Sequence, residues 1–289
     1  MSTVLITGAA TGFARLAVES LLDAGHTVAA TMRDVTGRNQ QAAGELAAQD
    51  VTVIELDVTD EDSVQRGVAR AIAELGHIDV VVNNAGLGAL DLLEGFTTED
   101  LQKVFDVNVF GVHRVNRAII PHMKARRSGL LVLISSLTSR LAIPFQGPYG
   151  ASKAAAENFA ELYRAELSQL GIESAIIEPG GMPTEFIGKL SGPSEPERLG
   201  DYGDVAALPA GFLQAFESTF AANPAQSPRL VADAIVDLIN LPHGERPFRT
   251  VVDRMGLGDL VQPQNERMEA LNQQLYDMFQ ISHLLTVKR

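Results

Sequence analysis

The chain has 289 residues, of which 46% are hydrophobic and 20% are charged, a balance typical of a globular protein with one large core. Its formal net charge of −13 and the lack of a basic stripe disfavour nucleic acid as a partner. It contains no cysteine, which excludes disulfides, thiolate metal sites and cysteine nucleophiles and is compatible with a reducing compartment.

The N-terminal sequence lacks the pattern of a signal peptide, since an apolar run of only three residues, Val4 to Ile6, follows with no basic segment before it. No apolar stretch approaches the roughly 20 residues that a membrane-spanning helix needs. We therefore expect a cytoplasmic protein without a membrane or nucleic acid as a partner.

Short apolar runs alternate along the chain with amphipathic segments, which predicts a parallel sheet covered by helices on both faces. Strands are expected at 3–7, 27–32, 51–56, 78–82, 130–134, 172–178 and 249–252. Helices are expected at about 13–24, 59–75, 149–170, 208–220, 230–241 and 265–279, with a further helical region after Thr97. We therefore predict a single α/β domain with a doubly wound Rossmann fold over residues 1–289.

Residues 187–228 break this alternation, because glycine, proline and charged residues dominate 191–203 before an amphipathic segment at 208–220. A long irregular segment at the end of a strand is typical of a lid that covers a substrate. We predict a mobile helical lid at about 187–228, with a surface insertion as the alternative, and a C-terminal tail at about 253–289.

A glycine-rich turn follows the first predicted strand: Gly8-Ala-Ala-Thr-Gly-Phe13. A strand, a turn of this kind and then a helix are the opening of a dinucleotide-binding unit. Gly8 permits the tight turn, and Gly12 lets the backbone approach a pyrophosphate, which the helix N-terminus attracts. Alone the turn is a weak signal, since an ordinary loop can have the same composition.

The end of the second predicted strand bears on the choice of cofactor. The residue that contacts the adenosine ribose is expected about 20 residues after the glycines, and that position falls on Met32, which cannot bind a 2′-hydroxyl. Arg33 follows directly and suits a 2′-phosphate. Asp34 would be the ribose ligand if the register shifts, and Arg38 is a second candidate for the phosphate. We therefore favour NADP(H), with NAD(H) as the alternative.

Polar residues and glycines follow the other predicted strands, at the sheet edge where ligands bind in such folds. Asp57 follows the third strand and could cap a helix or contact adenine. Asn83-Asn-Ala-Gly86 follows the fourth strand, and Pro179-Gly-Gly-Met-Pro-Thr184 follows the sixth. Asn108 has apolar neighbours on both sides, so its amide needs hydrogen-bond partners if it is buried.

Tyr149 and Lys153 are four positions apart, which places both side chains on one face of a helix. An ammonium near a phenol favours the phenolate, so we expect Lys153 to lower the pKa of Tyr149. Such a tyrosine can exchange a proton with a carbonyl or alcohol oxygen. Ser136 follows the fifth strand, so its hydroxyl should lie at the same edge. The alternative is that both residues simply lie on the surface of a helix, since this spacing alone is weak evidence of a catalytic pair.

Taken together, the motifs closely resemble the classical short-chain dehydrogenase/reductase family over residues 1–186, with a continuation to about 255. The glycine turn fits its Thr-Gly-x-x-x-Gly-x-Gly pattern except that Ala14 replaces the third glycine, and Met182 stands where the family usually has a β-branched residue. The Asn-Asn-Ala-Gly and Pro-Gly-x-x-x-Thr segments also match. Four residues match its catalytic tetrad in order and spacing: Asn108, Ser136, Tyr149 and Lys153.

The resemblance implies an oxidoreductase that interconverts a carbonyl and a secondary alcohol by hydride transfer. It implies that Tyr149 is the general acid or base, that Ser136 stabilises charge on the substrate oxygen, and that Lys153 bonds the nicotinamide ribose. Asn108 would hold a water that links the lysine to solvent. The expected cofactor contacts are Gly8, Thr11, Gly12, Phe13, Arg33, Asp57, Val58, Asn84, Ala85, Gly86, Tyr149, Lys153, Pro179, Gly180 and Thr184.

Other functions stay open at this point: an NAD(H)-linked alcohol dehydrogenase of the same family, or a non-catalytic dinucleotide-sensing regulator on the same fold. Epimerases of the extended branch have a Gly-x-x-Gly-x-x-Gly spacing that this turn does not fit. The family often forms a homodimer or homotetramer, and either is compatible with the sequence. Several side chains suggest a hydrophobic substrate, although core packing would explain some of them equally well: Phe145, Met182, Phe186, Leu190, Phe212, Phe216 and Phe220.

Overall fold

In a computed structural model, which describes residues 1–288, the strands form one parallel sheet. The strands are β1 (Thr3–Thr7), β2 (Thr27–Met32), β3 (Thr52–Glu55), β4 (Val80–Asn83), β5 (Gly129–Ile134), β6 (Ile172–Pro179) and β7 (Arg249–Val252). Their order in the sheet is β3-β2-β1-β4-β5-β6-β7, so the direction of winding reverses between β1 and β4. Ligands bind at such a reversal, outside the carboxyl ends of the strands.

Helices cover both faces of this sheet. They are α1 (Gly12–Asp23), α2 (Gln40–Ala47), α3 (Glu61–Leu75), α4 (Thr98–Phe105), α5 (Val112–Arg126), α6 (Gly147–Ser168), α7 (Leu208–Ala222), α8 (Arg229–Asn240) and α9 (Gly258–Met278). A π-helical turn, Asp106–Gly111, joins α4 to α5. The predicted single doubly wound α/β domain is therefore confirmed.

The core has two layers because successive side chains of a strand point to opposite faces. In β1, Val4 and Ile6 join the apolar cluster under α1 and α8, whereas Leu5 joins the cluster under α3 and α5. Every residue of β1, β4, β5 and β6 is buried, as expected for a sheet covered on both faces.

Three helix predictions differ from the structure. Helix α2 was not expected, and α6 begins two residues earlier than predicted, at Gly147, because Pro148 suits the first turn of a helix. Helix α9 begins at Gly258 rather than at about Asn265, and it accommodates Pro263 in its interior. A proline inside a helical pattern usually ends the helix, so the sequence does not indicate this early start.

The segment predicted as a lid consists of short 3-10 turns followed by α7, and its first half is anchored to the body of the protein. The hydroxyl and the amide of Ser194 donate to the Asp100 carboxylate over 2.5 and 2.9 Å. The same carboxylate and Thr97 form the capping box of α4. The hydrogen bonds from Ser194 hold the pKa of Asp100 well below its usual range. The hydroxyl of Tyr202 donates to Glu94 over 2.6 Å.

Helix α9 is joined to α6 by polar contacts. Arg164 of α6 donates two hydrogen bonds of 2.8 Å to Glu269 of α9. Leu271, Leu275 and Met278 of α9 are exposed on its outer side. Among the helices of residues 1–288, none combines the length and the apolar character that crossing a bilayer requires.

We expect Ile176→Ala to destabilise the protein strongly, because Ile176 is fully buried at the centre of β6. Truncating a buried isoleucine costs about 2–5 kcal/mol of unfolding free energy. The measurement is urea unfolding followed by circular dichroism. Leu260→Ala, at a side chain that is 58% exposed, is the control and should change the free energy by less than about 0.5 kcal/mol. Equal losses in the two variants would contradict this core assignment.

Candidate active site

The glycine turn has the backbone shape that its residues predict. Gly8 and Gly12 have φ angles of 71° and 64°, in the region that disfavours side chains. A Cβ atom on Gly8 would lie 3.0 Å from Cα of Ala85, whereas one on Gly12 would project into open space. Within residues 1–288, Thr11 makes no side-chain capping bond at the start of α1. The first-turn amides, including that of Phe13, therefore suit an anion.

Thr7 ties the ends of β1 and β4 together. Its hydroxyl oxygen accepts hydrogen bonds of 3.0 Å from the backbone amides of Asn84 and Ala85. The Asn84 side chain donates in return to the carbonyl of Thr7, also over 3.0 Å. These bonds place Asn84 and Ala85 directly beside the glycine turn, as expected for two residues of one binding groove.

The end of β2 holds Arg33 beside Asp57. Nη1 of Arg33 lies 3.7 Å from Oδ2 of Asp57, and the arginine side chain is 51% exposed. The Asp57 carboxylate accepts from the amide and the hydroxyl of Thr59 over 2.9 and 2.7 Å. Asp34 turns away: its carboxylate accepts from the amide of Arg38 over 2.8 Å within its own turn. Val58 is buried, and its carbonyl accepts from Arg114.

The structure brings the predicted tetrad together at the carboxyl end of β5. Asn108, Ser136 and Lys153 are buried, and Nζ of Lys153 lies 5.7 Å from the ring centroid of Tyr149. Gly86 completes the cluster, because a Cβ atom there would lie 3.5 Å from Oδ1 of Asn108 and 3.8 Å from Nζ of Lys153. Residues that follow β4 and β5 thus converge on one point with residues of α6 and the π-helical turn.

Burial controls the ionisation of Tyr149. The Tyr149 side chain is partly accessible. Burial raises the pKa of Tyr149 to about 12, and the hydrogen bond with Ser136 opposes this rise. Burial also lowers the pKa of Lys153 to about 8, opposed by the charge of Glu157. The expected net lowering of the Tyr149 pKa is therefore wrong, because burial outweighs the lowering effect of the Ser136 hydrogen bond. The Lys153 amine donates instead to the carbonyl of Ile134 over 2.8 Å.

The side-chain amide of Asn108 makes three hydrogen bonds to neighbouring protein groups. Its oxygen accepts from the backbone amide of Leu87 over 2.7 Å, and its nitrogen donates to the carbonyl of Leu87 and to the hydroxyl of Ser152, each over 2.9 Å. The expected structural hydrogen bonds of Asn108 are thus confirmed. The water-holding role of Asn108 stays a prediction.

The segment after β6 faces the glycine turn across a cleft. Pro179 ends β6, and the amide of Gly180 donates to the carbonyl of Val252 over 2.9 Å. Thr184 lies with Thr11 and Gly12 on the wall of this cleft, whose volume is about 810 Å³. A nicotinamide dinucleotide would lie between these two walls, and the open space at Gly12 and the uncapped amides of α1 fit its pyrophosphate.

Aromatic rings pack next to the cluster and along α7. Phe186 lies against Tyr149 with ring centroids 5.6 Å apart, and Phe145 contacts Phe212 of α7 at 5.7 Å. Phe216 stacks on Phe212 at 5.9 Å, so α7 extends the same apolar wall. Met182, one of the residues that suggested a hydrophobic substrate, packs in the hydrophobic core.

Sequence reasoning missed two charged residues close to this site. Lys189, in the predicted lid, donates to the hydroxyl of Thr11 over 3.1 Å. Glu157, one turn after Lys153, is buried and bonded to Ser135. The four-residue spacing of Tyr149, Lys153 and Glu157 was the available signal for the glutamate, because it places all three on one face of α6.

A model of the short chain dehydrogenase family matches residues 2–193. The chain belongs to this family. Retinol dehydrogenase 8 of Bos taurus is 38% identical over 250 residues, which cover 82% of this chain and 77% of the relative. Human 17-beta-hydroxysteroid dehydrogenase type 1 is 34% identical over 249 residues, 83% of this chain and 75% of the relative.

Two solved structures of similar fold carry a dinucleotide. A short chain dehydrogenase/reductase from Burkholderia phymatum in complex with NAD has a TM-score of 0.75 and 25% identity, covering 93% of this chain and 95% of that one. An alcohol dehydrogenase from Thermococcus sibiricus in complex with 5-hydroxy-NADP has a TM-score of 0.67 and 26% identity, and the match covers 87% of this chain and 96% of that one. The chain is thus an oxidoreductase of a family that uses a nicotinamide dinucleotide.

We expect Gly8→Ala to impair both folding and dinucleotide binding, since the new methyl group meets Ala85 and the residue has a positive φ. A side chain in this backbone region costs roughly 1–2 kcal/mol. Thermal unfolding and fluorescence titration with NADPH measure the two effects. Gly44→Ala in α2, where a Cβ would meet nothing within 4 Å, is the control and should not weaken binding. Unchanged binding and stability in Gly8→Ala would contradict the proposed groove.

Proposed function

We propose that the protein is an NADP(H)-dependent oxidoreductase that interconverts a hydrophobic carbonyl compound and a secondary alcohol, with Tyr149 as general acid and base. The observation that carries this proposal is the cluster of Ser136, Tyr149 and Lys153 at the carboxyl end of β5, in which Ser136 and Lys153 are buried. Tyr149 supplies a proton donor, Ser136 a second hydroxyl and Lys153 a cation, all at the edge of the sheet where ligands bind in such folds.

The groove offers a place for each part of the dinucleotide. When bound, that cofactor supplies or accepts the hydride. The amides of Gly12 and Phe13 would bind the pyrophosphate, and Asp57 with Val58 would contact the adenine. The expected contacts nearer the nicotinamide are Asn84, Ala85, Gly86, Lys153, Pro179, Gly180 and Thr184. A dinucleotide bound there would sit beside the tetrad.

The preference for NADP(H) is supported by the charges at the end of β2. Arg33 is half exposed at the position expected for the 2′-phosphate, while Oδ2 of Asp34 accepts a hydrogen bond from the amide of Arg38 within its own turn. The carboxylate beside the Arg33 guanidinium is that of Asp57, and it accepts two hydrogen bonds from Thr59. The arginine side chain stays half exposed despite this contact.

The proton chemistry follows from the environments of Tyr149 and Lys153. With its pKa raised to about 12, Tyr149 keeps its proton at neutral pH and can donate it to a carbonyl oxygen during reduction. Ser136 would donate a hydrogen bond to the same oxygen and stabilise the developing negative charge. The phenolate that forms is stabilised by the ammonium of Lys153, and in oxidation the phenolate takes the alcohol proton.

A hydrophobic substrate is supported by the aromatic wall of Phe145, Phe186 and Phe212. The two relatives described above carry the names of a retinol and a hydroxysteroid dehydrogenase, whose named substrates are both largely apolar alcohols. The panel for a first assay therefore contains hydrophobic ketones and aldehydes, including retinal and a 17-ketosteroid.

We expect Tyr149→Phe to bind NADPH with a Kd within about twofold of wild type, because the ring and its packing against Phe186 are kept. Its kcat should fall by roughly 10²–10⁴, the contribution of general acid catalysis. Steady-state reduction of the best ketone and fluorescence titration measure the two quantities. Normal turnover in this variant would end the proposal, and absent turnover in wild type would favour a dinucleotide-sensing regulator.

We expect Arg33→Ala to weaken NADPH binding by about 10- to 100-fold, since a charge-assisted hydrogen bond contributes about 1.5–3 kcal/mol. NADH affinity should stay the same. The measurement is fluorescence titration with each of the two cofactors. Arg38→Ala is the matched control, because it removes the neighbouring arginine that is the second candidate for binding the 2′-phosphate. Tighter binding of NADH than of NADPH to wild type would assign the protein to the NAD(H)-linked alternative.

A further inference from the structure

A buried group of charged side chains lies directly behind Ser136, and the proposed mechanism does not use it. Its acidic members are Glu157 and Glu178, which are 2% and 0% exposed, and Glu161, which is partly buried. Its basic members, Arg140 and Arg249, pair with all three carboxylates. Burying this many charges costs free energy, so a role beyond general stability is worth seeking.

Glu157 contacts the loop that carries Ser136 on both sides of that residue. Its Oε1 accepts a hydrogen bond of 2.5 Å from the hydroxyl of Ser135 and one of 2.6 Å from the hydroxyl of Ser139. Ser135 and Ser139 flank Ser136 by one and three positions, and the Ser139 hydroxyl is also 2.7 Å from the carbonyl of Ser136. One carboxylate oxygen therefore fixes the loop at two points.

The other oxygen of Glu157 is held by the basic members of the group. Nη1 of Arg249 donates to Oε2 over 2.6 Å, and Nη2 of Arg140 lies 3.2 Å from it. Arg249 also donates to Glu178 over 2.8 Å, and Glu178 in turn accepts from Asn265 of α9. The position of the carboxylate is thus set by β6, β7 and α9 together, so it provides a rigid support for the loop.

Glu157 also acts electrostatically on Lys153, which lies one helical turn earlier on the same face of α6. The negative charge of Glu157 raises the pKa of Lys153 and opposes the larger effect of burial. The ionisable groups that surround Glu157 are Lys153, Glu161, Glu178, Arg140 and Arg249.

We propose that Glu157 is a positioning residue for the reaction: it fixes the hydroxyl of Ser136 through Ser135 and Ser139, and it places a negative charge one turn from Lys153. This inference rests on the proposed function, because it assigns Glu157 to the same site. The residue acts through its neighbours and does not itself touch the substrate.

The principal variant is Glu157→Gln, which preserves shape but removes the charge and one acceptor oxygen. Its kcat should fall by about 10- to 100-fold while KM and NADPH affinity change little, because misplaced donors mainly affect the transition state. Glu161→Gln is the matched control: Glu161 also accepts from Arg249, on the next turn of α6, and among the described contacts it bonds neither serine. Its kcat should stay within about twofold of wild type.

The dependence of kcat on pH separates a positioning role from a merely structural one. Without the negative charge of Glu157, the Lys153 ammonium loses its proton at lower pH, so the alkaline fall in kcat should move toward lower pH in Glu157→Gln. Ser139→Ala removes one loop contact and keeps the charge. It should lower kcat by less, about threefold to tenfold, and leave the pH profile unchanged.

Hydrogen exchange of residues 135–141 tests the loop contact without any turnover, so it also distinguishes failure of this inference from failure of the proposed function. The amides of Ser139 and Arg140 bond to the carbonyls of Ser136 and Leu137 within this loop. We expect Glu157→Gln to speed their exchange by about tenfold and Glu161→Gln to leave it unchanged. Wild-type exchange and an unmoved pH profile in Glu157→Gln, or equal losses of kcat in both variants, would overturn the proposal.

Discussion

The junction between β1 and β4 is the constraint on which the site depends. The sheet reverses its winding there, so the helices on either side diverge and leave a groove at the carboxyl ends of the strands. The hydroxyl of Thr7 holds β1 and β4 together, because it accepts hydrogen bonds from the two backbone amides that follow β4. Because Gly8 follows directly, the turn can pass within contact distance of Ala85, and the next residue, Gly86, lies close to Asn108 and Lys153 of the tetrad.

Burial works against two of the groups that the chemistry needs. It raises the pKa of Tyr149 to about 12 and lowers that of Lys153 to about 8, so it favours the neutral form of both. A neutral tyrosine is ready to donate a proton, but a neutral lysine would not stabilise the phenolate. The carboxylate of Glu157 opposes this loss of charge on Lys153. The buried ion group behind the loop therefore affects the ionisation of a residue in the site.

Local sequence patterns were enough to predict the strands and the order of motifs, because β-branched runs and glycine turns act over a few residues. They did not predict α2, nor the start of α9 ahead of Pro263, where packing overrides a proline signal. They also missed the partners of Glu157, since Arg249 is 92 positions away in the chain. The ionisation of Tyr149 depends on its burial, which no spacing of residues reveals.

The central claim is that hydride passes between a nicotinamide and a carbonyl carbon at this site. We would incubate the enzyme with NADPH carrying deuterium at the transferred position of the nicotinamide, together with the hydrophobic ketone that is reduced fastest. Mass spectrometry of the alcohol would then locate the label. The account predicts one deuterium on the carbinol carbon with wild type and almost none with Tyr149→Phe. An unlabelled alcohol from the wild-type reaction, or equal labelling by both proteins, would contradict it.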